Sequence, residues 1–173
     1  MQTSNEWWQK TKSDPAALND WLVKQYRGES RAASRILRFA DKYGNGEHRK
    51  TLDTIASQES RHAVWVLGLL DTRQVTPSVD MNEERYWKET LPEIESFETG
   101  AAVGAHAEKM RLDRIRAIVE DPETPSDIRD VFARILPEEE FHERAFRTMA
   151  GPDAMNKTEA SHERGMQLLG LVH

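Results

Sequence analysis

Apolar residues recur every three or four positions along most of the chain, and the alternation of a half-buried strand is scarce, so the pattern predicts an all-α fold. A first long helix opens at Ser13-Asp14-Pro15, a capping side chain ahead of a proline that the first turn tolerates, and runs to about Tyr43. Its inward stripe reads Leu22, Tyr26, Glu29, Ala33, Ile36, Ala40. A second helix covers about 47–70 with the stripe Leu52, Ile55, Glu59, His62, Val66, Leu69. The short turn Gly44-Asn45-Gly46 makes the two antiparallel. Residues 71–91 are long enough to cross the length of a bundle, with a short helix over 82–90. A third helix runs from Pro92 to Val119 with the stripe Ile94, Phe97, Ala101, Ala105, Glu108, Leu112, Ile115, Val119. After the loop DPETP, a fourth is capped by Ser126 and carries Ile128, Phe132, Ile135, Glu139, His142, Phe146 and Met149, with a kink expected at Pro137. A fifth helix over about 153–171 closes the chain. Two hairpins joined by a long crossover describe a four-helix bundle over about 13–150, within a single domain spanning 1–173.

Six positions break these stripes. Glu29, Glu59, His62, Glu108, Glu139 and His142 stand where leucine or isoleucine belongs, and unpartnered buried carboxylates cost several kcal/mol each. Residues at equal depth on antiparallel helices lie symmetrically about the turn that joins them. Glu29 and Glu59 centre on (29 + 59)/2 = 44, in the first turn, and Glu108 and Glu139 on (108 + 139)/2 = 123.5, in the DPETP loop. Each half therefore delivers two carboxylates and one imidazole at one level, the imidazole through a Glu-x-x-His that places both side chains on one helical face. A metal-free layer of Glu–Arg or Glu–His pairs need not satisfy both midpoints.

Composition narrows the chemistry. The chain has no cysteine, which removes disulfides, thiolate nucleophiles and sulfur-ligated iron or zinc centres. Leu, Ile, Val and Phe number only 34 of 173, so something must supplement a thin apolar core. A net charge of -6 argues against a nucleic-acid module, as do the arginines Arg31, Arg35 and Arg38, which lack interleaved aromatics and read as an exposed face. No signal-type or membrane-spanning apolar run occurs, so a soluble, cytoplasmic protein without membrane contact is expected. Four glutamates carry -4 and two divalent ions +4, and carboxylate with imidazole suits iron or manganese.

One Glu from each of two helices plus Glu-x-x-His from each of two others is the arrangement of ferritin-like di-iron and di-manganese proteins. The segments YRGESRAASRIL, SQESRHAVWVLGLL, GAHAEKMR and LPEEEFHERAF stand where that superfamily carries its ligands, and over roughly 15–150 the chain resembles its rubrerythrin-like, small di-iron carboxylate branch. The resemblance implies Glu29 and Glu108 as terminal or bridging carboxylates, Glu59 and Glu139 as bridging carboxylates, and His62 and His142 as imidazole ligands. It implies two iron ions, or iron–manganese or di-manganese pairs, in an oxidoreductase acting on dioxygen or peroxide. The chain departs from the typical rubrerythrin in lacking a cysteine-rich rubredoxin module, so reductant must come from an external electron donor. The extra helix-three carboxylate of that branch is also missing, since the nearest candidate, Glu98, lies ten residues from Glu108, roughly 15 Å along the axis. A homodimer or larger homo-oligomer is expected.

Other features read more plainly. Chance yields about 0.7 Glu-x-x-His motifs in such a chain, whereas three occur. The third, Glu159 and His162, reads as surface chemistry on the fifth helix. His48 and His106 miss the depth test and read as surface residues, while Trp65 and Tyr26 read as core filler. Of Glu138-Glu139-Glu140, only the middle member should face inward. Two competing functions remain, a ferroxidase that stores iron in a hollow cage and a metal-free interaction bundle, and subunit mass and metal content separate them from an enzyme.

Overall fold

Helix α1, Ser4–Lys12, opens the chain on a reciprocal cap: Thr3 N–H donates to Glu6 Oε2 at 2.9 Å and Glu6 N–H donates to Thr3 Oγ1 at 3.2 Å. It was not anticipated, because its apolar content is two adjacent tryptophans without a stripe. The structure, a computed structural model, describes residues 2–78 and 85–171. Helix α2, Pro15–Tyr43, starts as expected, with Asp14 accepting from Ala16 N–H and proline in the first turn. Gly44 ends it, its N–H bonded to Ala40 O, where any Cβ would lie 2.7 Å from that same oxygen. Gly46, at φ +46°, begins α3, Gly46–Thr72, so both glycines of the turn are required by backbone geometry.

The crossover carries α4, Arg85–Thr90, and a 3-10 turn, Leu91–Glu93; the Asn82–Glu84 part of the expected short helix lies outside the described residues. Helix α5 spans Phe97–Glu120, five residues short of the expected start at Pro92. Ser96 and Thr99 cap each other, Thr99 N–H to Ser96 Oγ at 3.1 Å and Ser96 N–H to Thr99 Oγ1 at 3.0 Å, which fixes the start and leaves Ile94 outside the helix. Helix α6 runs Ser126–Leu168, so Ser126 is its first residue rather than its cap, and Arg129 N–H reaches Pro125 O. The backbone stays helical through Pro137; the break falls at Gly151 (φ 71°, ψ 167°). Pro137 and Ala133, whose carbonyl the ring deprives of a donor, are both exposed, so water can satisfy that carbonyl. The fourth and fifth expected helices are thus one element, broken by a glycine. Among the described residues there is no strand, only an isolated parallel bridge between Gln2 and Leu171.

The described residues form two compact units. The hairpin unit holds 8–78 and 118–135, and the C-terminal unit holds 2–7, 85–117 and 136–171. In the hairpin unit, α2 and α3 bury Leu22, Ile36, Leu52, Ile55, Val66 and Leu70. Trp21 joins Trp8 edge-on at 5.4 Å to Phe132 at 5.3 Å, so three large rings offset the scarcity of aliphatic residues. Trp8 is wholly buried, yet its indole N–H is satisfied by Thr124 Oγ1 at 2.8 Å, and that hydroxyl donates to Ile118 O at 2.7 Å. Lys12 bridges Asp121 and Glu123 at 2.7 and 2.9 Å, tying α1 to the DPETP loop. The ion pair and its hydrogen bond hold the Asp121 carboxyl below its usual range.

The C-terminal unit packs differently. The first half of α5 buries mainly small residues, Ala101, Ala102, Ala105 and Ala107, which let large partners approach, whereas Leu112 and Ile115 are buried further along. At Gly104 a Cβ would meet the Phe146 ring at 2.9 Å, and at Gly165 it would meet the Tyr86 ring at 2.6 Å. Two aromatic side chains are therefore seated on glycines.

Candidate metal centre

All six stripe-breaking residues are buried; Glu29, Glu59, His62, Glu139 and His142 are 0% exposed and Glu108 is 4% exposed. Both hairpin midpoints translate into depth. Within the hairpin unit, one ligand atom from each of Glu29, Glu59 and His62 lies within 4.8 Å of the other two, and within the C-terminal unit the same holds for Glu108, Glu139 and His142. In each triad the imidazole Nδ1 faces a carboxylate oxygen: His62 to Glu29 Oε2 at 3.7 Å, and His142 to Glu139 Oε2 at 3.5 Å. Glu138 and Glu140 are half-buried while Glu139 is fully buried, so the helix turns only the middle acid inward, as its phase requires. Glu98 is exposed and takes no part.

The surroundings of the triads differ. On the hairpin side, Gln25, one turn before Glu29, donates its amide N–H to Glu29 Oε1. The Trp65 ring lies 5.7 Å from the His62 ring and carries the guanidinium groups of Arg61 and Arg134 at 5.5 and 5.4 Å. Trp65 is half-buried and capped by cations, so the expectation of core filler does not hold: α3 turns it toward the outer face beside exposed Arg61. On the C-terminal side, Arg111 donates to Glu139 Oε1 at 3.2 Å and stands 3.7 Å from Glu108 Oε2. A fixed cation thus touches both carboxylates of one triad.

The C-terminal unit also holds a second buried polar group, which the sequence reading misplaced. His162 is 4% exposed rather than on the surface; its Nδ1 is 2.8 Å from the Tyr86 hydroxyl, and its ring stacks on His106 at 4.6 Å with 13° between planes. His106, also read as a surface residue, is half-buried, with Nε2 at 3.1 Å from Thr158 Oγ1 and 3.2 Å from Met155 O. Glu159 does face solvent, as does His48. A signal was present: Ala154, Thr158, Ser161, His162 and Gly165 recur at helical spacing on one face, but small and polar residues conceal such a stripe from an apolar count. Burial, and then the charge of Glu108, raise the Tyr86 phenol well above its ordinary value, so it remains protonated.

Each triad offers carboxylate oxygens and an imidazole with no sulfur, a donor set that fits first-row divalent ions such as iron or manganese. Two carboxylates and one imidazole buried at one level in the helices of an all-α chain define the ferritin-like class of carboxylate proteins. Residues 20–150 match the family model Rubrerythrin, three quarters of the chain, and the protein belongs to that family, with an all-α ferritin-like bundle and additional helix after it. Neither a curated protein nor a solved structure matches the chain. Among the described residues, no helix is long and apolar enough to cross a membrane.

Proposed function

We propose that the protein is an oxidoreductase in which the triads Glu29, Glu59, His62 and Glu108, Glu139, His142 hold two iron ions, or an iron–manganese or di-manganese set, and that it reduces dioxygen or peroxide. The observation that carries this reading is the presence of two buried Glu–Glu–His triads, one in each unit, on a rubrerythrin-family chain. Four carboxylates balance two divalent cations, -4 + 4 = 0, so loading would cancel charge that burial makes expensive. When bound, the metal pair supplies electrons and Lewis acidity to the oxidant.

The chain's own residues set the conditions for that chemistry. Glu59 and Glu139, each three residues before its histidine on one helical face, would supply carboxylate oxygens to the metals beside His62 and His142. His62 and His142 anchor the metals, each ring held beside a carboxylate of its own triad. Gln25 fixes Glu29 through its amide and so orients one oxygen toward the centre. Burial of the ligands keeps bulk water off their oxygens and nitrogens, which would strengthen their hold on a cation. An external donor supplies the electrons, and the absence of cysteine from these 173 residues suits a reducing cytoplasm. The protein works as a homodimer or larger homo-oligomer.

The test is a single-turnover experiment. Protein loaded anaerobically with ferrous iron is mixed with peroxide or air, and ferric absorption is followed together with oxidant consumption. The expected result is oxidation faster than that of free ferrous iron and repeated cycling when a reductant is added. Iron that oxidises no faster than in buffer would refute the oxidoreductase. Oxidation without turnover, by a particle of roughly twenty-four subunits that retains the ferric product, would show storage instead.

A further inference from the structure

The rubrerythrin match ends at residue 150, and His162 lies beyond it, so the Tyr86–His162–His106 group is built partly from helix that the family pattern does not cover. Tyr86 is 1% exposed, and its ring rests on Gly165, where any side chain would collide at 2.6 Å. His162 is held in place by the parallel His106 ring, and His106 is itself fixed through Nε2 by Thr158 and Met155. Satisfying one buried phenol would need no second imidazole stacked behind the acceptor. The arrangement instead suits a phenol that must pass its proton to a fixed base and recover it.

We propose that Tyr86 and His162 form a redox pair, in which oxidation of the phenol is coupled to transfer of its proton to His162 Nδ1. The proposal rests on the oxidoreductase reading, which supplies the electron acceptor, the oxidised metal pair. Tyr86 loses one electron to that acceptor while its O–H bond breaks and an N–H bond forms on His162 across the 2.8 Å contact. A neutral phenoxyl remains beside an imidazolium. One electron from the external reductant and return of the proton restore the phenol. Coupling is required by burial: an electron leaving alone would strand a cationic phenol away from water, and a proton leaving first would strand a phenolate there. His106, stacked on the acceptor, is a positioning residue that holds the imidazole plane as its charge changes. Trp87, half-buried and 5.3 Å from the Tyr86 ring, offers an aromatic step toward the surface.

Two measurements test the pair. In metal-free protein, photo-oxidised ruthenium tris-bipyridine generates tyrosine radicals that are trapped by freezing and examined by electron paramagnetic and electron–nuclear double resonance. The expected spectrum contains a Tyr86 radical coupled to one exchangeable proton; Tyr86→Phe removes the radical, and His162→Gln removes that coupling. A spectrum unchanged by Tyr86→Phe, or a Tyr86 radical without the coupling, would overturn the proposal. In protein loaded with ferrous iron and exposed to air, a Tyr86-dependent radical should appear during turnover. Complete iron oxidation without one would overturn the electron-transfer step. Should the chain bind no metal, the oxidoreductase reading fails while the metal-free measurement still decides the pair. A hydrogen bond serving only structure would lower thermal stability in Tyr86→Phe and leave every spectrum as it was.

Discussion

The two triads carry the same ligands in different company. The hairpin triad has a neutral amide, Gln25, on its lone glutamate and a cation-flanked indole, Trp65, against its histidine. The C-terminal triad has a guanidinium, Arg111, on both carboxylates and a phenol–imidazole group in the same unit. Repetition of the ligands sets what the centre can bind, whereas the unlike neighbours set how each half behaves. Two carboxylates stand in either triad, and in the second Arg111 sets a positive charge against both of them. We therefore expect the C-terminal triad, in which a metal would compete with a resident charge, to be the weaker cation site.

The symmetry is broken most severely by removing the glutamate of either Glu-x-x-His. Glu59→Ala or Glu139→Ala should each abolish binding of the metal pair, measured as metal per chain after reconstitution and desalting. Unchanged stoichiometry in both variants would refute the ligand set. The asymmetry is sharpened by the neighbours. Gln25→Ala should weaken the tighter metal site about tenfold, as loss of a ligand's hydrogen-bond partner commonly does. Arg111→Gln should instead tighten the weaker site by about tenfold, or about 1.4 kcal/mol. Calorimetric titration should show the two affinities moving toward each other in both variants; affinities that diverge would contradict the assignment.

Smaller effects probe the packing around each half. Gly165→Ala pushes a methyl into the Tyr86 ring and should cost about 1–3 kcal/mol of unfolding free energy in denaturant titration, with no such loss at Gly28, where a Cβ meets nothing. The hairpin unit offers a pH test at Asp121, whose carboxyl is held low by Lys12. A depressed carboxylate stabilises above its unfolded pKa of about 3.9, and that contribution is lost as pH falls through the lower folded value. Asp121→Asn should therefore melt below the native protein at pH 7, with the gap closing under acid below about pH 4. A gap that widened in acid would reverse the sign of this account.

Much of this arrangement was legible in the chain because helical period and turn position are local. Apolar spacing marks α2 and α3 nearly to the residue, and the midpoints at 44 and 123.5 pair Glu29 with Glu59 and Glu108 with Glu139, 30 and 31 residues apart. The misreadings share a physical cause: signals not carried by apolar residues. Helix α1 rests on the Thr3–Glu6 cap, the start of α5 on the Ser96–Thr99 cap, and the buried face of the last helical segment on Thr158, Ser161 and His162. Pro137 was given too much weight, since its exposed position lets water replace the lost bond, and Gly151 too little. The environment of each triad was hidden for another reason. Whether Arg111 or Gln25 reaches a glutamate depends on side-chain direction, which spacing along one helix does not fix.

The central claim, that six buried side chains hold two metal ions, is tested most directly by anaerobic titration of the metal-free protein with ferrous iron, with bound metal counted per chain. The account predicts saturation at about two ions, the first bound more tightly than the second. Saturation below one ion per chain would contradict it.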